Sequence, residues 1–135
     1  MVNMYKKLPV WRKANELGNR LYDVTQYFPH DKDRILVDQI RYDSDRIVLS
    51  IERSATESNC TEYIRHFKES YDTTLHLRRI VMQSKTRGYV GSHAYAEIER
   101  TINDVLISIT RYIRMLEFVN SSLDASHAYS YSLLL

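Results

Sequence analysis

One stretch of this chain restricts its fold more than any other. Over residues 94–119, Tyr95, Ile98, Ile102, Val105, Ile109, Tyr112, Leu116 and Val119 recur at alternating intervals of three and four. The alternation averages about 3.5 residues, close to the α-helical repeat, so these side chains line one stripe of a straight helix. Glu97, Glu99, Arg100, Asp104, Arg111, Arg114 and Glu117 fill the intervening positions and suit a solvated face. No Pro or Gly breaks the run, and Ser92 stands ahead of it as an N-cap. A helix of this kind cannot bury its stripe alone. The pattern predicts a helical bundle, and the rest of the chain must supply the partners.

The partners are present. Val10, Ala14, Leu17, Leu21, Val24 and Phe28 repeat the same spacing and predict a helix over residues 9–28, with Pro9 in its first turn and Pro29 closing it. Leu36, Ile40, Ile47, Ile51 and Ala55 predict a second helix over residues 32–56, with Asp31 as its cap. Asp43 and Ser44 interrupt that stripe, which implies either a small local rotation or a Tyr or Arg partner, or else a polar interior or a subunit contact. Asn59 and Glu62 have capping-box spacing, and a third helix runs from there to Arg87 on Ile64, Phe67, Tyr71, Leu75 and Met82, broadened by Leu77, Ile80 and Val81. Gly88 stops it. Short connections make consecutive helices antiparallel, so the expected fold is all-α, an up-down-up-down four-helix bundle. It occupies residues 1–121, with a flexible C-terminal tail over residues 122–135.

Composition agrees with one domain. A chain of 135 residues can bury a sizeable core, and three Gly and two Pro are sparse for a β-rich or loop-rich protein. The single Cys60 rules out an intramolecular disulfide. No apolar run reaches the roughly 18–20 residues of a membrane span, and residues 1–11 lack the apolar segment of a signal peptide, so a cytoplasmic protein is expected. There is no glycine-rich phosphate loop, no HExxH, no CxxC and no pair of Glu-x-x-His units. Glu62/His66, Asp72/His76 and His93/Glu97 stand at i,i+4 and read as solvated contacts. No catalytic residue, metal site or cofactor is expected, and the protein is read as non-enzymatic.

The placement of charge says more than its sum of +2. Lys6, Lys7, Arg12 and Lys13 precede the first acid, Glu16, and no acid lies between Thr73 and Ala96. That second interval holds Arg78, Arg79, Lys85 and Arg87, with His76 and His93. In an antiparallel bundle Arg111 and Arg114 join the first group. Two basic regions on a nearly neutral protein suit phosphate contacts, which position RNA or DNA without reading its sequence. Arg12, Lys13, Arg78, Arg79, Lys85, Arg87, Arg111 and Arg114 are therefore the candidate nucleic-acid-binding residues; ordinary solvated or intersubunit charges are the alternative. Leu49, Val81 and Ile113 fall off the stripes, so exposed apolar surface and a homo-oligomer are expected.

Several short motifs carry a resemblance. Trp11-Arg12-Lys13-Ala14, Leu21-Tyr22, Phe28-Pro29 and Asp38-Gln39-Ile40-Arg41 resemble the four-helix proteins encoded in intervening sequences of bacterial 23S rRNA genes. Asp45-Arg46-Ile47, Ile51-Glu52, Gly88-Tyr89 and Tyr95-Ala96-Glu97 look more like a sister group, the accessory variability determinants of diversity-generating retroelements. The likeness covers about Tyr5 to Glu117. Glu52-Arg53-Ser54 stands where the first group has Ala-Glu-Gly, and Thr110-Arg111-Tyr112 where the second has Gly-Gly-Trp. The resemblance implies a homopentameric barrel of four-helix bundles with a basic surface. In the retroelement group it further implies a reverse transcriptase and its template RNA as partners.

Overall fold

The computed structural model describes residues 4–122. After a short 3₁₀ turn over Met4–Lys7, four helices follow: α1 (Pro9–Thr25), α2 (Arg34–Ser54), α3 (Cys60–Thr86) and α4 (Ser92–Ser122). Apart from Ser122, which closes α4, the expected tail at 122–135 lies outside the described residues. No strand occurs among the described residues.

Local chemistry sets the helix ends. Pro9 begins α1 after an extended Leu8, where its missing N–H costs nothing. The helix stops at Thr25, short of the expected Phe28, because the next three residues donate to carbonyls three back and tighten into a turn. Phe28 is buried all the same, its ring 5.5 Å from that of Tyr89. The Pro29 carbonyl accepts from Lys32 and Asp33, so α2 begins at Arg34 with Asp33, not Asp31, at the cap position. Asn59 caps α3 as its spacing predicts, accepting the Glu62 N–H at 2.9 Å. At the other end Gly88 takes φ 79°, and Tyr89 N–H and Gly88 N–H bond back to the Ser84 and Lys85 carbonyls at 2.9 Å. This is a Schellman closure, and the left-handed position favours Gly. Ser92 is the first residue of α4 rather than its cap; the Gly91 carbonyl accepts from Tyr95.

Cross-helix contacts fix the topology. Trp11 Nε1 donates to Glu52 at 3.0 Å, while Arg41 bonds to Thr25, so α1 and α2 run in opposite directions. Arg46 meets Glu69 and Asp43 meets His76 between α2 and α3. Cys60 donates to the Leu116 carbonyl and Lys85 lies over Tyr95 between α3 and α4. Arg20 reaches Glu97, closing α4 on α1. The bundle is up-down-up-down and antiparallel, with each helix on its sequence neighbours.

The α4 stripe is buried throughout, save for a half-buried Tyr112, as are its counterparts Leu17, Leu21, Leu36, Ile40, Ile47 and Ile51. On α3 the inward stripe differs from the apolar one. It runs Tyr63, Phe67, Ser70, Thr74, Leu77, Val81 and Ser84, while Met82 is 50% exposed and Tyr71 and Leu75 are half-buried. Hydroxyls occupy the core because each bonds within its own helix: Thr74 to Ser70 O at 2.7 Å, Ser84 to Ile80 O at 3.1 Å. Val81, expected at the surface, is thus in the core. Asp43 and Ser44 are buried too; Ser44 bonds to the Ile40 carbonyl, and Asp43 takes His76 of α3 at 2.5 Å, a partner that is neither Tyr nor Arg.

This core generates a contrast. Phe67 is fully buried and stacks on Tyr112 at 5.7 Å, so Phe67→Ala should cost about 3–5 kcal/mol of unfolding free energy. Thr74→Val removes only an intrahelical back-bond and should be neutral or slightly stabilising, within about 1 kcal/mol. Denaturant titration of both variants measures the difference.

Candidate nucleic-acid interface

The eight candidate cations fall into two groups. Arg12 and Lys13 sit in the first turns of α1, and the Arg12 charge acts on Tyr112 of α4. Arg111 and Arg114 flank that tyrosine on exposed positions, so the first group assembles as the antiparallel order predicts. Arg114 also borders the α3–α4 groove formed with Lys68, Tyr71 and Ile113. Arg12 donates to the Lys7 carbonyl at 3.0 Å, which holds the 3₁₀ turn and its two lysines against α1.

The second group lies along the last half of α3. Lys85 stands 4.6 Å over the Tyr95 ring, and Arg78, two turns earlier on the same face, acts on the same phenol. Burial pushes that phenol up, a hydrogen bond to Glu99 adds to the shift, and Arg78 opposes it. Arg79 is exposed beside them. From Tyr95 to Arg111 the α4 axis advances about 24 Å at 1.5 Å per residue, so the two groups occupy opposite ends of the bundle.

Arg87 behaves differently from the other seven. Its guanidinium pairs with Asp33 of the α1–α2 connection, which also accepts from the Tyr89 hydroxyl at 3.0 Å. Burial tends to raise the Asp33 carboxyl, but the hydrogen bonds from Arg87 and Tyr89 outweigh it and hold the group below its ordinary range. Arg12, Lys13, Arg78, Arg79, Lys85, Arg111 and Arg114 form no ion pair among the described residues. Elsewhere Arg20, Arg34, Arg46, Arg65 and Lys68 each face a carboxylate.

The histidines do not keep their i,i+4 partners in every case. His66 bonds to Glu57 and His76 to Asp43, whereas His93 does meet Glu97 at 3.5 Å. Cys60 is buried at the start of α3 with its thiol on the Leu116 carbonyl. Charge counting also missed Arg41, whose guanidinium lies 4.1 Å above the exposed Tyr22 ring and bonds to Thr25. An aromatic and an arginine facing across the α1–α2 turn carry no sequence signal of that proximity. No described helix is long and apolar enough to cross a membrane.

The fold and its charges define a class: an antiparallel four-helix bundle with basic ends. Residues 6–111 match the family model described as 23S rRNA-intervening sequence protein, and the chain belongs to that family. Compared with curated proteins, the sequence has no match.

Asp33 offers a pH test. Its folded-state pKa is depressed, so its contribution is present above the ordinary value of 3.8 and is lost as the pH falls through the folded-state value. Asp33→Asn should lower Tm at neutral pH, and the gap between variant and parent should close on acidification below 3.8. Thermal melts followed by circular dichroism across that range check it.

Proposed function

We propose that this chain is a non-enzymatic, self-associating cytoplasmic scaffold that holds RNA or DNA by phosphate contacts at the two ends of its bundle. In its finer form it serves a diversity-generating retroelement, holding template RNA against a reverse transcriptase. The observation that carries the reading is the division among the cations. Arg20, Arg46, Arg65 and Lys68 along the flanks face carboxylates. Among the described residues, Arg12, Lys13, Arg111 and Arg114 at one end and Arg78, Arg79 and Lys85 towards the other form no ion pair, as is also true of Arg53 and Arg100. An unpaired surface guanidinium keeps its donors for a phosphate.

Self-association multiplies such contacts without adding new ones, since repeated patches bind one polyanion with an effective concentration set by their spacing. Ile107 at 50% and Phe118 at 70% exposure lie on the outer face of α4, and Ile35 is exposed at the start of α2. Apolar side chains of this size in water favour protein contacts. They also support a second reading, a protein-interaction module with no nucleic-acid role.

Binding of a short single-stranded RNA at two salt concentrations separates the two. Log affinity should fall with log salt, and Arg78→Ala/Arg79→Ala/Lys85→Ala should flatten the slope by about 0.7 per phosphate contact removed. Arg87→Ala should change affinity less than Arg79→Ala, because Arg87 is already held by Asp33. Affinity that ignores salt, or that the triple variant leaves unchanged, sinks the nucleic-acid reading. Light scattering should report a multiple of 16.0 kDa at micromolar concentration; a single-chain mass refutes self-association. A reverse-transcriptase gene flanked by template repeats beside this one would support the retroelement form.

A further inference from the structure

Three potential ligands converge where α2 passes into α3. Glu57 lies in the connection after Ser54, Glu62 in the first turn of α3, and His66 one turn further on. The i,i+4 spacing presents Glu62 and His66 on one face, and Glu57 meets them from the side. One donor atom from each residue lies within 4.8 Å of the others. The imidazole is 5% exposed and directs Nε2 to Glu57 Oε1 at 3.0 Å. Its Nδ1 has no hydrogen-bond partner among the described residues. A buried ring is thus held in place by a single carboxylate, with a second carboxylate alongside.

The local charge is unbalanced. Arg65 bonds to Glu62 at 2.7 Å while also facing Glu69 at 3.8 Å, and Glu69 pairs with Arg46 as well. The Arg65 guanidinium is held well charged by the Glu62 hydrogen bond first, with Glu69 and Glu57 adding to it. Arg65 and Arg46 together answer three carboxylates, and Glu57 meets neither in an ion pair. Neighbouring carboxylates around an imidazole accept a further positive charge at little electrostatic cost.

We propose that Glu57, Glu62 and His66 bind a divalent transition-metal ion of the Zn²⁺ class. One imidazole nitrogen and two carboxylate oxygens form a donor set of borderline softness, which suits Zn²⁺ better than Mg²⁺ or Ca²⁺ and leaves a fourth position for water. Tetrahedral coordination at roughly 2.0–2.2 Å sets donor atoms about 3.4 Å apart. Rotation of the two half-buried glutamates closes the observed separation, while His66 stays fixed in the core. The same partial exposure gives the ion its route in. Once bound, it clamps the α2–α3 connection to the first turns of α3 without taking part in the phosphate contacts described above.

Calorimetric titration of chelator-treated full-length protein with Zn²⁺ tests the site, alongside thermal melts. One equivalent per chain should bind and raise Tm, and Mg²⁺ should do neither. Glu57→Gln and His66→Gln should each weaken Zn²⁺ binding by roughly tenfold or more. His93→Gln, at the exposed pair with Glu97, should titrate like the parent. Because His66→Gln disturbs a buried position, Glu57→Gln on the connection is the deciding variant. No binding by the parent, parental binding by Glu57→Gln, or loss of binding in His93→Gln overturns the proposal.

Discussion

Everything in this protein depends on one apolar seam: α4 buried against α3 on one side and α1 on the other. Ile102, Val105, Ile109 and Leu116 are almost wholly withdrawn from water. Each such side chain contributes about 1.5–3 kcal/mol relative to exposure, so the seam outweighs any surface ion pair in the molecule. It also sets the position of the charges. A slip of α4 by one turn would move Arg111 and Arg114 about 5.4 Å along the bundle and separate them from Arg12. The basic ends exist because the greasy interior holds the helices in register.

Where the sequence was readable, it was so because burial and side-chain chemistry agreed. On α1 and α4 most buried positions are aliphatic, and the three-four spacing identifies most of them, whereas α2 buries Asp43, Ser44, Ser50 and Ser54 beside its aliphatic stripe. On α3 the two separate. Ser70, Thr74 and Ser84 satisfy their hydroxyls within the helix and so behave as small core residues, which a search for apolar side chains passes over. Met82 and Tyr71 then look like core positions, although the true stripe lies to one side of them. Asp43 follows the same logic. A buried carboxylate is tolerable here because His76 stands across the α2–α3 interface, a relation between residues 33 apart that no local pattern encodes.

The candidate interface was readable as two charged intervals but not as a set of free and committed cations. Intervals without acids locate basic surface, and the antiparallel order brings Arg12 to Tyr112, in the stretch of α4 that carries Arg111 and Arg114. What spacing cannot give is the partner reached across helices. Arg87 looks like its neighbours in sequence, yet Asp33 arrives from another connection and neutralises it. Glu57 and His66 show the same limit, since the helical spacing singles out Glu62 and overlooks the residue in the turn.

The link from Asp33 to Arg87 and Tyr89 has a wider meaning for how the bundle breathes. It joins the α1–α2 turn to the α3–α4 turn across 54 and 56 residues, so the two helical hairpins are clasped at one end. The opposite end carries the start of α1, the end of α4 and the α2–α3 connection, where fraying of chain termini is cheapest. Opening is therefore expected to start there rather than at the clasp, as with a pair of tongs hinged at the Tyr89 end. A polyanion seated on Arg12 and Arg111 would close those jaws; one lying near Lys85 would rest on the part that hardly moves.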